Sequence, residues 1–357
     1  MFATIVALAV TAALAPPVPS QVSRRLVAGP VLAGERIVWG ENVGGENLLR
    51  SAPSGRPFWR SSSSTLTGPL AASPSLVAFR RSFEGCPQQP GVVCPIESDV
   101  LAGPIGGSLR AIAPRERCHG AQSLDADGSR VVSIESDCDR NSARVVVRDR
   151  RNGWRASFSR TACCAAALAG RFVAWTATDA VAVYDLGARR DAYVAKPPQG
   201  YSLLSFDLQA DGAIVATYAH GRTAEPSRVA WFSRREPRAH LLPLAGEALR
   251  IAGGRIVLRR SIGEDATELV LVDLAGRARR LARFETPIRP RGGVDFDGGR
   301  VTWASDRVDA RTVDCPPPGV GRPCLVRVTG VTTIWRLSVP RGRPAAVARL
   351  PFVNAVP

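Results

Sequence analysis

The amino-acid sequence predicts an all-β fold, a single β-propeller of seven four-stranded blades. Three observations carry that expectation: a short pattern recurs seven times, its copies lie about 42 residues apart, and each copy alternates in hydrophobicity between glycine- or proline-marked turns. With 33 glycines and 28 prolines scattered through 357 residues, the composition suits many short strands joined by turns.

The copies are Gly34-Glu-Arg-Ile-Val-Trp39, Pro74-Ser-Leu-Val-Ala-Phe79, Gly128-Ser-Arg-Val-Val-Ser133 and Gly170-Arg-Phe-Val-Ala-Trp175. Three more follow: Gly212-Ala-Ile-Val-Ala-Thr217, Gly253-Gly-Arg-Ile-Val-Leu258 and Gly298-Gly-Arg-Val-Thr-Trp303. Their successive intervals are 40, 54, 42, 42, 41 and 45 residues. Asp-Gly dipeptides at Asp127-Gly128, Asp211-Gly212 and Asp297-Gly298 precede three copies and close tight hairpins, because both residue types tolerate positive φ. A second strand follows each copy, as in Val181 to Asp185 and Leu269 to Asp273, and an Arg-rich strand closes the unit, as in Ala278-Arg-Arg-Leu-Ala282. Each unit thus holds four strands, A to D.

This repeat resembles the TolB-like propeller family, a WD40-like type whose units carry a turn, an apolar strand and a closing "Asp-Leu-x-x-Gly-x-x-Arg" stretch. The resemblance spans about residues 24–350. It implies the propeller fold, and by analogy a periplasmic Tol–Pal-like component.

Period-two alternation puts Ile37, Val77, Val131, Val173, Val215, Ile256 and Val301 on one face of strand B, with Trp39, Phe79, Trp175 and Trp303. This face is expected to pack between blades rather than to form an aromatic binding surface. Arg24-Arg-Leu-Val27 is expected to close the ring as a fourth strand of the last blade.

Residues 1–20 read as a signal peptide and 21–357 as the propeller domain. Phe2 to Leu14 is an apolar run too short to cross a bilayer, followed by Ala13-Leu14-Ala15 and then Pro16, Pro17 and Pro19. Eight cysteines agree with export, so the expected location is secreted, periplasmic or cell envelope, with no transmembrane anchor and a monomeric state. Cys86–Cys94 and Cys315–Cys324 are expected to brace two proline-rich insertions, about Glu84 to Glu97 and Asp306 to Arg322. Cys118 and Cys138 are expected to face each other across a hairpin. Cys163-Cys164, placed in a D–A connection, either forms a vicinal disulfide or stays reduced. No Cys or His spacing fits a zinc site.

The net charge of +16 comes from Arg, with Lys196 the single lysine. It favours acidic partners, although no basic block is interleaved with aromatics as nucleic-acid stacking requires, so nucleic acid is not expected. Arg36, Arg130, Arg171, Arg255 and Arg300 share one template position and predict an incomplete basic ring on the A–B turn face. A solvated turn residue is the preferred reading, an anion-binding ring the alternative.

His119, His220 and His240 fall in unrelated places, and no zinc-protease, nucleophile-elbow or phosphate-loop motif occurs. Asp125 and Asp127, like Asp295 and Asp297, have calcium-like spacing, but hairpin chemistry explains them. No catalytic, metal or cofactor residue is singled out. The expected function is a non-catalytic exported module that binds a protein or an acidic envelope polymer. The alternative is a propeller hydrolase or lyase with its site in the central channel, where clustered acids or histidines would reveal it.

Overall fold

The computed structural model describes residues 23–62, 65–84, 96–113, 123–137, 142–158, 162–220, 227–263, 266–285, 288–314, 325–339 and 341–356. Twenty-eight strands form seven four-stranded antiparallel sheets, and each sheet uses four consecutive strands. The innermost strands are β1 (Arg24–Ala33), β5 (Thr65–Ser73), β9 (Leu124–Asp127), β13 (Ala162–Ala169), β17 (Tyr201–Leu208), β21 (Glu247–Ala252) and β25 (Ile288–Phe296). Each of these contacts the next, and β25 returns to β1, so the seven sheets close a ring. The chain is a seven-bladed β-propeller. No helix among the described residues is long and apolar enough to cross a membrane.

The ring holds because a blade has two apolar faces and hides each against a neighbour. Seven apolar clusters lie between blades, one at every junction. Trp39 and Ile37 of the first blade pack with Ala304, Ile334 and Leu350 of the seventh. Trp303 and Val301 pack against Val257 and Leu269 of the sixth. Phe79 and Trp175 are buried in the same manner, so these aromatics belong to the interblade core. Four blades add an ion pair between strands B and C: Glu41 with Arg50, Arg81 with Asp99 at 2.7 Å, Glu135 with Arg148, and Arg260 with Glu268 at 2.8 Å.

The fifth blade departs from the expected phase. Val215 faces the following blade, and Ile214 takes the place that Ile37, Val173 and Ile256 hold elsewhere. The cause is turn length. In the first blade Leu32 pairs with Ile37 across four residues, whereas Leu208 pairs with Ile214 across five. One extra residue moves the side chains of the following strand to opposite faces.

Ring closure also differs from expectation. Arg24 to Val27 open β1, where Arg24 pairs with Val43 and Leu26 with Glu41 of β2 (Arg36–Val43); they do not join the last blade. No strand is exchanged because every sheet is already complete from consecutive hairpins. Side chains seal the seam instead: Arg300 pairs with Glu35 at 2.5 Å, and the Val353 amide donates to Ser23 Oγ at 3.1 Å.

Cys163 and Cys164 lie within β13, where its pairing with β14 (Phe172–Ala177) shifts register, and not in a D–A connection. Cys86, Cys94, Cys118, Cys138, Cys315 and Cys324 lie outside the described residues. Much of the seventh-blade insertion is strand: β26 (Arg300–Asp314) and β27 (Leu325–Ser338) stay paired as far as Asp314 and Leu325.

Blade turns approach closely on the A–B face. Gly170 has φ 55°, and a Cβ there would come within 2.7 Å of the Ala210 carbonyl oxygen, so this turn needs glycine twice over. Replacing Trp39 by Ala is expected to cost about 3–5 kcal/mol. Replacing Val313, which is 60% exposed, should stay within about 0.5 kcal/mol. Denaturant unfolding of the two variants checks both values.

Candidate active site in the central channel

Strand A is the inner edge of every blade, so its outward backbone groups face the channel without a ladder partner. One position on this strand, directly before the residue paired with the apolar start of strand B, is occupied around the ring by Val31, Ala71, Asp125, Ala167, Asp207, Arg250 and Asp295. Three carboxylates therefore sit on alternate blades, the third, fifth and seventh. The single guanidinium comes from the sixth.

Each carboxylate reaches the next blade. Asp125 accepts the Leu168 amide at 2.8 Å, Asp207 the Ile251 amide at 2.7 Å and Asp295 the Leu32 amide at 2.7 Å. Arg250 donates from Nε to Asp295 at 3.1 Å. Asp125, Asp207, Asp295 and Arg250 line a common cavity of about 260 Å³ to which all seven blades contribute. Arg250 also lines a second cavity of about 620 Å³, walled by residues such as Leu26, Leu66, Leu70 and Val294. A third, of about 630 Å³, lies at the A–B turns between Asp127, Gln209, Asp211 and Asp297. Arg250 thus borders both a largely apolar vestibule and an acidic compartment.

Burial sets the electrostatics. It pushes the Asp125 carboxyl up to about 7, against the downward pull of the Leu168 amide and of Arg250, while Asp207 adds a smaller upward push. Burial likewise pushes Asp207 up to about 6, with Arg250 and the Ile251 amide opposing and Asp295 adding to it. For Arg250 burial acts downward, but Asp207, Asp295 and Asp125 outweigh it and hold the guanidinium above its ordinary value. Three acids facing one base leave the collar short of positive charge. Burial, which outweighs the pull of Arg250, brings two of its carboxyls to titrate near neutrality.

The sequence reading assigned Asp125 and Asp295 to turn chemistry and did not single out Asp207 or Arg250. The structure corrects the first and supplies the second. Asp297 does serve its turn, accepting the Gly299 amide at 2.9 Å and the Arg300 amide at 2.7 Å. Asp127 instead accepts the Gly170 amide of the next blade at 2.6 Å. The usable signal was positional: Asp125, Asp207 and Arg250 each stand three residues before Gly128, Ala210 and Gly253, and Asp295 three before Gly298, in the turns that end strand A.

The five template arginines all have partners. Arg130 donates to the Gly170 carbonyl, Arg255 to Gly298 at 2.6 Å, and Arg36 to Ile105 at 3.3 Å, each on the following blade. Arg300 pairs with Asp297 at 2.7 Å as well as with Glu35, and Arg171 lies 3.2 Å from Asp185. His220 packs against Tyr201 in a tilted contact and His240 stacks on Trp231, and neither lines the collar cavity; His119 lies outside the described residues. No group of three or more His, Cys, Asp or Glu among the described residues could hold a metal ion.

No protein-family model matches the chain, and no curated protein matches it significantly. Solved structures do. The propeller domain of the trilobed protease from Pyrococcus furiosus, which has an open velcro topology, is 9% identical with a TM-score of 0.49, over 80% of this chain and 95% of that one. Prolyl oligopeptidase B from Galerina marginata is 10% identical with a TM-score of 0.50, over 87% of this chain and 46% of that one. The acylaminoacyl peptidase of Pyrococcus horikoshii is 10% identical with a TM-score of 0.47, over 80% and 52%. At 10% identity the likeness to the Galerina enzyme speaks for the propeller fold alone and does not reach the TolB-like family. The non-catalytic binding module expected from sequence is corrected: ionisable groups cluster around a cavity in the channel, the feature by which the hydrolase alternative was to be recognised.

The collar also makes stability depend on pH. A carboxyl raised from 3.8 to about 7 binds its proton more tightly in the folded state, so its contribution is full below about 3.8 and is lost as pH rises through about 7. The stability difference between wild type and Asp125→Asn, followed by urea unfolding from pH 4 to 8, is expected to shift against wild type as pH rises. A flat difference would show that Asp125 does not titrate in that window.

Proposed function

We propose that this chain is a propeller hydrolase whose site is the collar of the central channel and whose chemistry is acid–base catalysis by two carboxyl groups. The observation that carries the reading is the convergence of Asp125, Asp207, Asp295 and Arg250 on one small cavity, where burial raises Asp207 to about 6 and Asp125 to about 7. Between those values Asp207 is ionised and Asp125 still holds its proton, which is the combination hydrolysis needs. Asp207 takes a proton from water as its oxygen attacks an electrophilic carbon, and Asp125 gives its proton to the departing oxygen. Arg250, fixed by Asp295, stands beside both to meet developing negative charge. No serine or cysteine nucleophile is required. The apolar leader and the eight cysteines support an exported setting for this activity.

The purified full chain, assayed on chromogenic esters, glycosides and peptide anilides, is expected to turn over one class with a bell-shaped profile peaking between about pH 6 and 7. Asp207→Asn should lower kcat by about 100-fold or more. Because the asparagine oxygen can still accept the Ile251 amide, the melting temperature should stay close to that of wild type. Silence across the whole panel, or activity that survives both Asp207→Asn and Asp125→Asn, would defeat the reading.

A further inference from the structure

We infer that the ligand of this channel is an uncharged acyl compound with an apolar chain, lodged in the vestibule with its carbonyl oxygen against Arg250; as substrate it is an ester of an apolar acid. The inference rests on the hydrolase reading for the reaction, but the ligand class rests on the walls. The cavity of about 620 Å³ that Arg250 borders is lined by Leu26, Leu66, Leu70 and Val294, all of them buried, and by Gly29 and Gly293, which add no bulk. Arg250 is the one charged group at its inner end; the other, Arg25, is exposed. A chain of methylenes gains from such a wall in proportion to the area it buries.

Charge decides the head group. Arg250 is already matched by Asp295 at 3.1 Å, so a free carboxylate would find the one base engaged and would face ionised Asp207 and Asp295 in the same collar. A neutral carbonyl meets no such repulsion. It needs the guanidinium only when its oxygen becomes negative during attack, which is where a fixed cation contributes most.

The step balances. The oxygen of water bonds to the acyl carbon while Asp207 takes the proton, and the carbonyl oxygen carries the negative charge toward Arg250. As the carbonyl reforms, the ester carbon–oxygen bond breaks and Asp125 protonates the departing alkoxide. The products are an acid and an alcohol, and solvent returns the proton from Asp207 to Asp125.

Calorimetric titration with hexanamide, acetamide and hexylammonium tests the ligand class without needing turnover. Hexanamide should bind at least tenfold more tightly than acetamide, and Leu66→Gln should reduce that preference. Equal affinity for the two amides, or tightest binding of hexylammonium, overturns the inference. In the companion assay, kcat/KM for 4-nitrophenyl esters should rise from acetate to hexanoate; a preference for acetate also overturns it. If hexanamide is preferred but no ester is turned over, the ligand class stands and the hydrolytic reading falls alone.

Discussion

Everything in this fold depends on how one blade meets the next. A four-stranded sheet has two faces, and here both are apolar near strand B, so neither can be left to water. The ring is the solution in which every face finds a partner. It closes without strand exchange, so the last junction uses the same means as the other six: an apolar cluster around Trp39 and Ile334, reinforced by polar contacts such as Arg300 with Glu35.

The packing that closes the ring creates the problem that the channel solves. Seven inner strands turn unpaired backbone amides toward a narrow space, and an unpartnered amide out of water is costly. Side chains from adjacent blades answer it: Asp125, Asp207 and Asp295 take amides from the next inner strand, and Tyr193 and Ser73 donate to turn carbonyls of the next blade at 2.7 Å. Carboxylates are strong acceptors for this role, since a charged acceptor makes a shorter and firmer bond. The choice has a consequence. Three of them in one channel repel one another, and although the pull of Arg250 on Asp125 and on Asp207 is larger than that repulsion, burial outweighs it.

The sequence disclosed what repeats and concealed what does not. Strand B was legible because seven copies obey one period, and period two follows directly from strand geometry. The fifth blade misled for a local reason: its Asp211-Gly212 turn looks like the others but holds one more residue, which the motif alone cannot reveal. Arg24 to Val27 misled because an exposed-looking basic stretch at the chain start resembles a closing strand, whereas Glu41 draws Arg24 inward at 2.8 Å as part of β1. The channel residues were hidden differently. Their position is occupied by valine or alanine in three blades, so no shared residue type marks it, and an aspartate just before Asp-Gly reads as turn chemistry. Only the ring brings Asp125, Asp207, Arg250 and Asp295 together across 170 residues.

That coming together bears on why the collar is polar at all. If the position served only to seal the channel, the valine and alanines of the first, second and fourth blades demonstrate that apolar residues suffice there. The amides of Leu168, Ile251 and Leu32 could also be left to channel water, as interior waters commonly satisfy such groups. Instead the acids gather opposite the lone arginine, and the three apolar positions fall to blades without one. Burial then raises both carboxyls, Asp125 to about 7 and Asp207 to about 6. A purely structural staple is best kept fully ionised, because its bond to an amide is stronger in that state. A carboxyl held near neutrality weakens the staple and gains the capacity to exchange protons, and it is this departure from the structural optimum that sets the collar apart from the other interblade contacts.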